Sequence, residues 1–240
     1  MGTTSISGGG DKIVTVFGNG TASVGGGNDT VSITGHGEMT VGGGHDWLSL
    51  GNGGTITELG KWGHDTISLG GGNDTINVQG MATVSGAWGQ YGSATISGGE
   101  LDVKVSGSSV EAIAVSGHAT LQGGIVPTTF AAGSGFSTLI GGSANDTFIG
   151  GSGSATLTGG SANNLFEFDS ASKGGSTVIS NFVSGSDSLY LDGHSFSYLQ
   201  SKGDITTHGS NTFISLNGGQ TTIELKGFTG LSGSDITTHK

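Results

Sequence analysis

Gly25–Val41 reads GGGNDTVSITGHGEMTV, and the flanking stretches repeat it. Gly8–Val24 is GGGDKIVTVFGNGTASV, and Gly42 opens GGGHDWLSLGNGGTIT, so the period is 17 residues. Each copy has two halves. The first is a glycine loop, a polar pair and an alternating run, Asn28-Asp29-Thr30-Val31-Ser32-Ile33. The second is a shorter loop and run, Gly35-His36-Gly37-Glu38-Met39-Thr40-Val41. Alternation with period two is the pattern of a strand with one buried face. It places Val31/Ile33, Leu48/Leu50, Ile67/Leu69, Ile76/Val78 and Phe166/Phe168 inward.

The first half recurs at Gly60–Leu69, Gly70–Val78 and Gly141–Ile149, and the second as G-x-A-T-[VIL] starting at Gly80, Gly92, Gly117 and Gly153. From Gly141 the nine-residue units GGSANDTFI, GGSGSATLT and GGSANNLFE run head to tail, which makes 18 residues per turn. Such strands are too short to stand alone. Stacked about 4.8 Å apart they give each other hydrogen-bonded neighbours and a continuous core. The expected fold is therefore all-β, a parallel β-roll or β-solenoid of 17–18-residue coils with a C-terminal antiparallel β cap. Residues 1–84 are the regular coils, 85–140 degenerate coils, 141–167 nonapeptide coils and 168–240 the cap. Leu101–Val105 still alternates, and Pro127, lacking an N–H donor, marks a loop. Ser188–Leu191, Thr212–Leu216 and Thr221–Leu225 read as antiparallel strands, with Asn217-Gly218-Gly219-Gln220 as a hairpin turn.

Composition narrows the function. Of 240 residues 52 are Gly, and with Ser and Thr they make nearly half the chain. There is no Cys and one Pro, 10% of residues are charged, and the net charge is −11. Disulfide scaffolds are excluded. All seven basic residues are Lys, so phosphate contacts are scarce and nucleic acid is not an expected partner. No apolar run approaches the ~20 residues of a membrane span, and Met1–Gly20 carries no Sec-type signal. No HExxH, GxSxG or Walker loop is present, so no enzyme is expected.

The loops resemble the nonapeptide G-G-x-G-x-D-x-U-x of the repeats-in-toxin (RTX) family of hemolysin-type calcium-binding proteins. Gly141–Ile149 and Gly60–Ser68 carry the resemblance best, and Asn164–Phe168, Val178–Phe182, Ser186–Leu191 and Thr222–Phe228 resemble the family's C-terminal end. The resemblance implies export by a type I secretion apparatus, an extracellular or cell-surface location, and Ca²⁺ held between loops one turn apart by Asp carboxylates and loop carbonyls. Carried over, the metal residues are Asp29, Asp46 and Asp65 in one column, with carbonyls of Gly25, Gly27, Gly42, Gly44, Gly60 and Gly63. Asp74 falls on the opposite edge, and Asp146 pairs with Asn164.

This chain departs from the pattern. Gly25–Asp29, Gly42–Asp46 and Gly70–Asp74 have one residue fewer than the family loop, and Lys12 takes the Asp place in the first copy. An ammonium can then replace an ion there. The alternative is that the Asp and Asn side chains bond loop amides as Asx turns. His45 and His64 fit exposed loop positions better than transition-metal ligands. Trp47, Trp62, Trp88 and Tyr91 read as outward aromatics that contact a cell-surface glycan or a protein, or cover a coil edge. Ser23, Thr40, Thr83, Thr95, Thr120 and Thr156 form the outward polar face.

The reading is a secreted, non-enzymatic, calcium-binding structural protein of a surface layer, matrix or fibre, associating with itself through solenoid ends or faces. The alternatives are a C-terminal secretion and folding module of a larger toxin, protease or lipase, and, less favoured, an adhesin or ice-binding surface.

Overall fold

The computed structural model describes residues 2–6, 9–87, 92–106, 110–114 and 118–239, with backbone only at 87, 92–95, 97, 99–106, 110–114 and 171. Trp88 and Tyr91, and the side chains of Thr95 and Leu101–Val105, lie outside the described residues. The chain forms two compact units, Met1–Ala119 and Thr120–Lys240.

In the first unit the strands are β1 (Gly2–Ile6), β2 (Ile13–Val16), β3 (Gly20–Val24), β4 (Thr30–Ile33), β5 (Gly37–Val41), β6 (Trp47–Glu58), β7 (His64–Ala87), β8 (Gly92–Ser106) and β9 (Val110–Ala114). Among the described residues these strands pair in parallel. One sheet stacks β1, β3, β5 and the second half of β6. The other stacks β2, β4, the first half of β6 and the start of β7. β6 therefore turns the corner between sheets, with its register shifting at Asn52/Gly54. The partners Ile13↔Thr30↔Trp47 and Gly20↔Gly37↔Gly54 keep the 17-residue offset read from the sequence. Val31, Ile33, Leu48, Leu50, Ile67, Leu69, Ile76 and Val78 all point into the core.

The boundary falls within β10 (His118–Gln122), and the second unit goes on with β11 (Thr128–Ala131), β12 (Phe136–Ile140), β13 (Thr147–Ile149), β14 (Ser154–Thr158), β15 (Leu165–Phe168), β16 (Ser176–Ser180), β17 (Ser188–Leu191), helix α1 (Phe196–Lys202), β18 (Ile205–His208), β19 (Asn211–Leu216), β20 (Thr221–Lys226) and β21 (Ile236–Thr237). Pro127 sits in the connection before β11, as expected. One sheet stacks β11, β13, β15, β17 and β21 in parallel. The other stacks β12, β14, β16 and β20 in parallel. Phe130, Phe148 and Phe166 occupy one register position and stack at 5.2 and 5.0 Å between ring centroids. The aromatic run continues to Phe182 and Phe228.

The antiparallel reading of Ser188–Leu191 is corrected. Leu165–Phe168 pairs with it in parallel, so the roll continues past residue 168. The offsets Ser154↔Ser176 and Leu165↔Ser188 exceed 18 because surface loops are inserted in the coil, and these hide the period. The cap is a larger insertion. Between β17 and β20 the chain builds α1, capped by Ser195 at its start and by left-handed Gly203 at its end, then β18 and β19. β18, β19 and β20 pair antiparallel, as expected for the last two. The turn at 217–219 has positive φ at Asn217, Gly218 and Gly219. Among the described residues no helix is long and apolar enough to cross a membrane.

Candidate metal centre

The parallel register of β2, β4, β6 and β7 brings the residues just before β2, β4 and β6, and the first two residues of β7, into columns. Lys12, Asp29, Asp46 and Asp65 form the inner one, one residue per coil. Lys12 N–H donates to Asp29 Oδ1 at 2.9 Å, Asp29 N–H to Asp46 Oδ1 at 2.7 Å, and Asp46 N–H to Asp65 Oδ1 at 3.0 Å. The column one residue earlier runs the other way. Asn28 N–H donates to Asp11 Oδ1, His45 N–H to Asn28 Oδ1, and His64 N–H to His45 Nδ1. Each stacking step is thus held by two oppositely directed side-chain bonds. This gives the Asn-Asp pair its reason: the first residue accepts from the coil after it, the second from the coil before. His45 does what Asn28 does, through a ring nitrogen, and is an exposed loop residue as expected, whereas His64, also exposed, opens β7 rather than lying in a loop.

The second unit repeats the inner column with Thr128, Asp146, Asn164 and Asp187. Their amides donate in turn to Asp146 Oδ1 at 2.8 Å, Asn164 Oδ1 at 3.1 Å and Asp187 Oδ1 at 2.9 Å. Asp187 escaped the sequence reading, although Asp187-Ser188-Leu189-Tyr190-Leu191 has the pattern of Asp29-Thr30-Val31-Ser32-Ile33. Asp74 stands apart, opposite Gly54 and Ala94 in the other sheet.

The two units differ in what the second carboxylate oxygen meets. Asp146 Oδ2 accepts from Gly142 N–H at 2.8 Å, so Asp146 is satisfied by amides alone. Asp29 Oδ2 and Asp46 Oδ2 are buried and have no hydrogen-bond partner. A buried, unmatched carboxylate oxygen is costly unless a proton or a cation compensates it. Lys12 shows how a cation sits here. Its Nζ is bound by the Gly10 carbonyl at 2.8 Å and the Gly26 carbonyl at 3.3 Å, 3.6 Å from Asp29 Oδ1. The ammonium thus lies between two successive loops, with two carbonyls and a carboxylate around it. One coil on, the equivalent carbonyls are Gly27 and Gly43 and the carboxylate is Asp46, but Asp29 replaces the lysine. Gly27 belongs to the set put forward from the sequence; Gly26 and Gly43 do not.

The glycines are needed for the stacking itself. A Cβ on Gly44 would lie 1.7 Å from the Gly27 carbonyl oxygen, and one on Gly63 1.5 Å from that of Gly44. Gly42 similarly lies over Gly25, and Gly60 over Gly43.

The electrostatics follow from burial. Desolvation pushes Asp46 above the usual carboxylate range, against the Asp29 amide bond, with help from the charges of Asp29 and Glu58. Desolvation likewise pushes Asp65 up to about 7. Asp146 is also raised by burial, although amides of Gly142 and Thr128 oppose it. Glu58, buried and bonded to the amides of Gln79 and Gly80, was not foreseen, because nothing in the repeat matches it. Among the described residues no three His, Asp or Glu side chains converge tightly enough to hold a metal by themselves. An ion here would rest on loop carbonyls as much as on carboxylates, which suits a hard cation such as Ca²⁺. A groove of about 270 Å³ lined by Asp29, Asp46, His45, His64 and Trp47 opens the column to solvent. Trp47 projects outward between Thr30 and Thr66, and Trp62 is similarly exposed.

No protein-family model matches the chain, and no curated protein matches it.

Proposed function

We propose that this chain is a secreted, non-enzymatic structural protein whose coils bind Ca²⁺ and which assembles with itself in a surface layer, matrix or fibre, after export by a type I secretion apparatus. The observation that supports calcium is the pair of buried, unmatched oxygens on Asp29 and Asp46, one coil beyond the loop position where the Lys12 ammonium already sits. Asp29 and Asp46, with the carbonyls of Gly27 and Gly43, are the groups that would hold the ion. It would supply the positive charge that the column lacks beyond Lys12. The Asx alternative describes Asp146, whose two oxygens are both taken by amides.

Thermal melting in Ca²⁺ and in EGTA tests the metal. At a free concentration 100 times Kd, a ligand bound only by the folded state stabilises it by about 2.7 kcal/mol. For a chain of this size that is a rise in Tm of about 5–10 °C. An unchanged melt overturns the calcium assignment. Electron micrographs of the calcium-loaded protein test assembly, and monodisperse monomers at all concentrations overturn that half.

A further inference from the structure

We infer that cation dependence is confined to the first unit, at the shortened loops Gly25–Asp29 and Gly42–Asp46, while the second unit carries its own hydrogen-bond donors at the equivalent positions and keeps its fold without Ca²⁺. The inference deepens the calcium reading and rests on it.

One place in the inner column recurs in both units. It lies between the carbonyl two residues before the column residue and the carboxylate one coil on. Lys12 fills it with its ammonium, 2.8 Å from the Gly10 carbonyl and 3.6 Å from Asp29 Oδ1. Asn164 fills it with its side-chain amide, which donates from Nδ2 to the Ala162 carbonyl at 3.0 Å and to Asp187 Oδ1 at 3.0 Å. The partners settle which way that amide points, because Asn164 Oδ1 accepts the Asp146 N–H on its other side. Asp29 and Asp46 hold the same column position, with Gly27 and Gly44 two residues before them and Asp46 and Asp65 one coil on. Their Oδ1 atoms do the work of Asn164 Oδ1. Asp and Asn have the same shape, so Oδ2 takes the place of Nδ2, and an acceptor stands where a donor is wanted. Both of these Oδ2 atoms are buried and have no partner.

Loop length decides which carboxylates are matched from within. Gly141–Asp146 spans six residues, and the Gly142 N–H, four residues back, reaches Asp146 Oδ2 at 2.8 Å. The Val183 N–H, again four residues back, reaches Asp187 Oδ2 at 2.9 Å. In the five-residue loop Gly25–Asp29 the residue four back is the first glycine, and its N–H is taken by the Ile6 carbonyl. Among the described residues of the second unit's column, Thr128, Asp146, Asn164 and Asp187, no carboxylate oxygen is buried without a partner. A buried carboxylate that accepts amide bonds is compensated by them, and one that lacks donors needs a cation. The ion is therefore needed where the loop is one residue short.

Hydrogen exchange of the whole chain, read by mass spectrometry in Ca²⁺ and in EGTA, tests the confinement. At a free concentration 100 times Kd, amides whose opening releases the ion are expected to exchange about 100-fold more slowly. That slowing is expected within residues 25–69 and not within residues 120–239. Asn164→Asp removes the second unit's donor and leaves the acceptors around it. This variant is expected to lose protection within residues 120–239 in EGTA and to regain it in Ca²⁺, so that the second unit becomes calcium-sensitive. Lys12→Asp makes the same change in the first unit, and equilibrium dialysis is expected to count one more bound Ca²⁺ than in the wild type. Calcium protection that falls equally on both units, or on the second alone, overturns the confinement and leaves calcium binding standing. A folded Asn164→Asp or Lys12→Asp protein that gains no calcium response overturns the role of the internal donors. No protection in either unit, with no ion retained on dialysis, overturns the calcium reading and the confinement with it.

Discussion

At the residue scale, the column separates two roles of one side chain. Asp46 Oδ1 satisfies the amide of Asp29, while Oδ2 is buried and unmatched. Asp46→Asn keeps the acceptor and removes the charge, a change the fold itself makes at Asn164, whose Oδ1 takes the amide of Asp146. In EGTA at neutral pH this variant is expected to be more stable than the wild type by about 1 kcal/mol, since burying the charge is what costs. Asp46→Ala removes the acceptor as well and is expected to destabilise by about 1–3 kcal/mol, leaving a buried amide unpaired. Denaturant melts of the three proteins check the order. In Ca²⁺ the order of Asn and wild type is expected to reverse, because the ion then matches the charge. If Asn is the weaker even in EGTA, the carboxylate is compensated by something other than a cation.

At the element scale, the second unit's strands are held by what lies beneath them. Phe130, Phe148 and Phe166 are fully buried, one above another in the register of β11, β13 and β15. Phe148 is sandwiched, so Phe148→Ala opens a cavity with rings on both sides. It is expected to cost about 3–5 kcal/mol, against under 1.5 kcal/mol for a volume-conserving change such as Leu157→Met in the facing sheet, read by urea unfolding. This stack was legible only in part. Phe166 and Phe168 were placed inward by alternation, and the head-to-tail nonapeptides fixed the spacing of Phe148 and Phe166. The continuation beyond Phe168 was not legible. Period detection needs equal spacing, and the loops inserted before β16 and β17 remove it while the ladder persists. The hydrogen-bonded register is a property of backbone geometry, which tolerates insertions at a corner. The Asp-x-apolar-x-apolar signature at Asp187 survived the insertion and was the available clue. In the first unit the regular offset made the Lys12, Asp29, Asp46 and Asp65 column readable. The crossed direction of its bonds was not, since it depends on which way each side chain turns in the loop.

At the scale of the whole molecule, the stacked carboxylates set a pH dependence opposite to that of most acidic proteins. Asp65 is raised to about 7 from an ordinary 3.8, and Asp46 and Asp146 are raised in the same direction, all with burial as the largest cause. A carboxyl with a raised value binds its proton more tightly folded than unfolded. Its contribution is fully present below about 4 and is lost as the pH rises through the folded value. Asp235 runs the other way. Burial pushes it up, but bonds from Ser184, Ser232 and Gly185 outweigh that and hold it below the ordinary range. Its contribution is lost only as the pH falls below about 4, outside the window that matters. Between pH 5 and pH 8 the raised carboxyls therefore govern the sign. In EGTA, Tm is expected to fall across that window, and Asp65→Asn is expected to flatten the fall because it carries no proton to lose. Ca²⁺ and protons compete for the same buried oxygens, so calcium is expected to stabilise strongly at pH 8 and little at pH 5. A melt in EGTA that rises from pH 5 to pH 8 would show that the column is not a buried negative charge awaiting a cation, and the calcium assignment would fall with it.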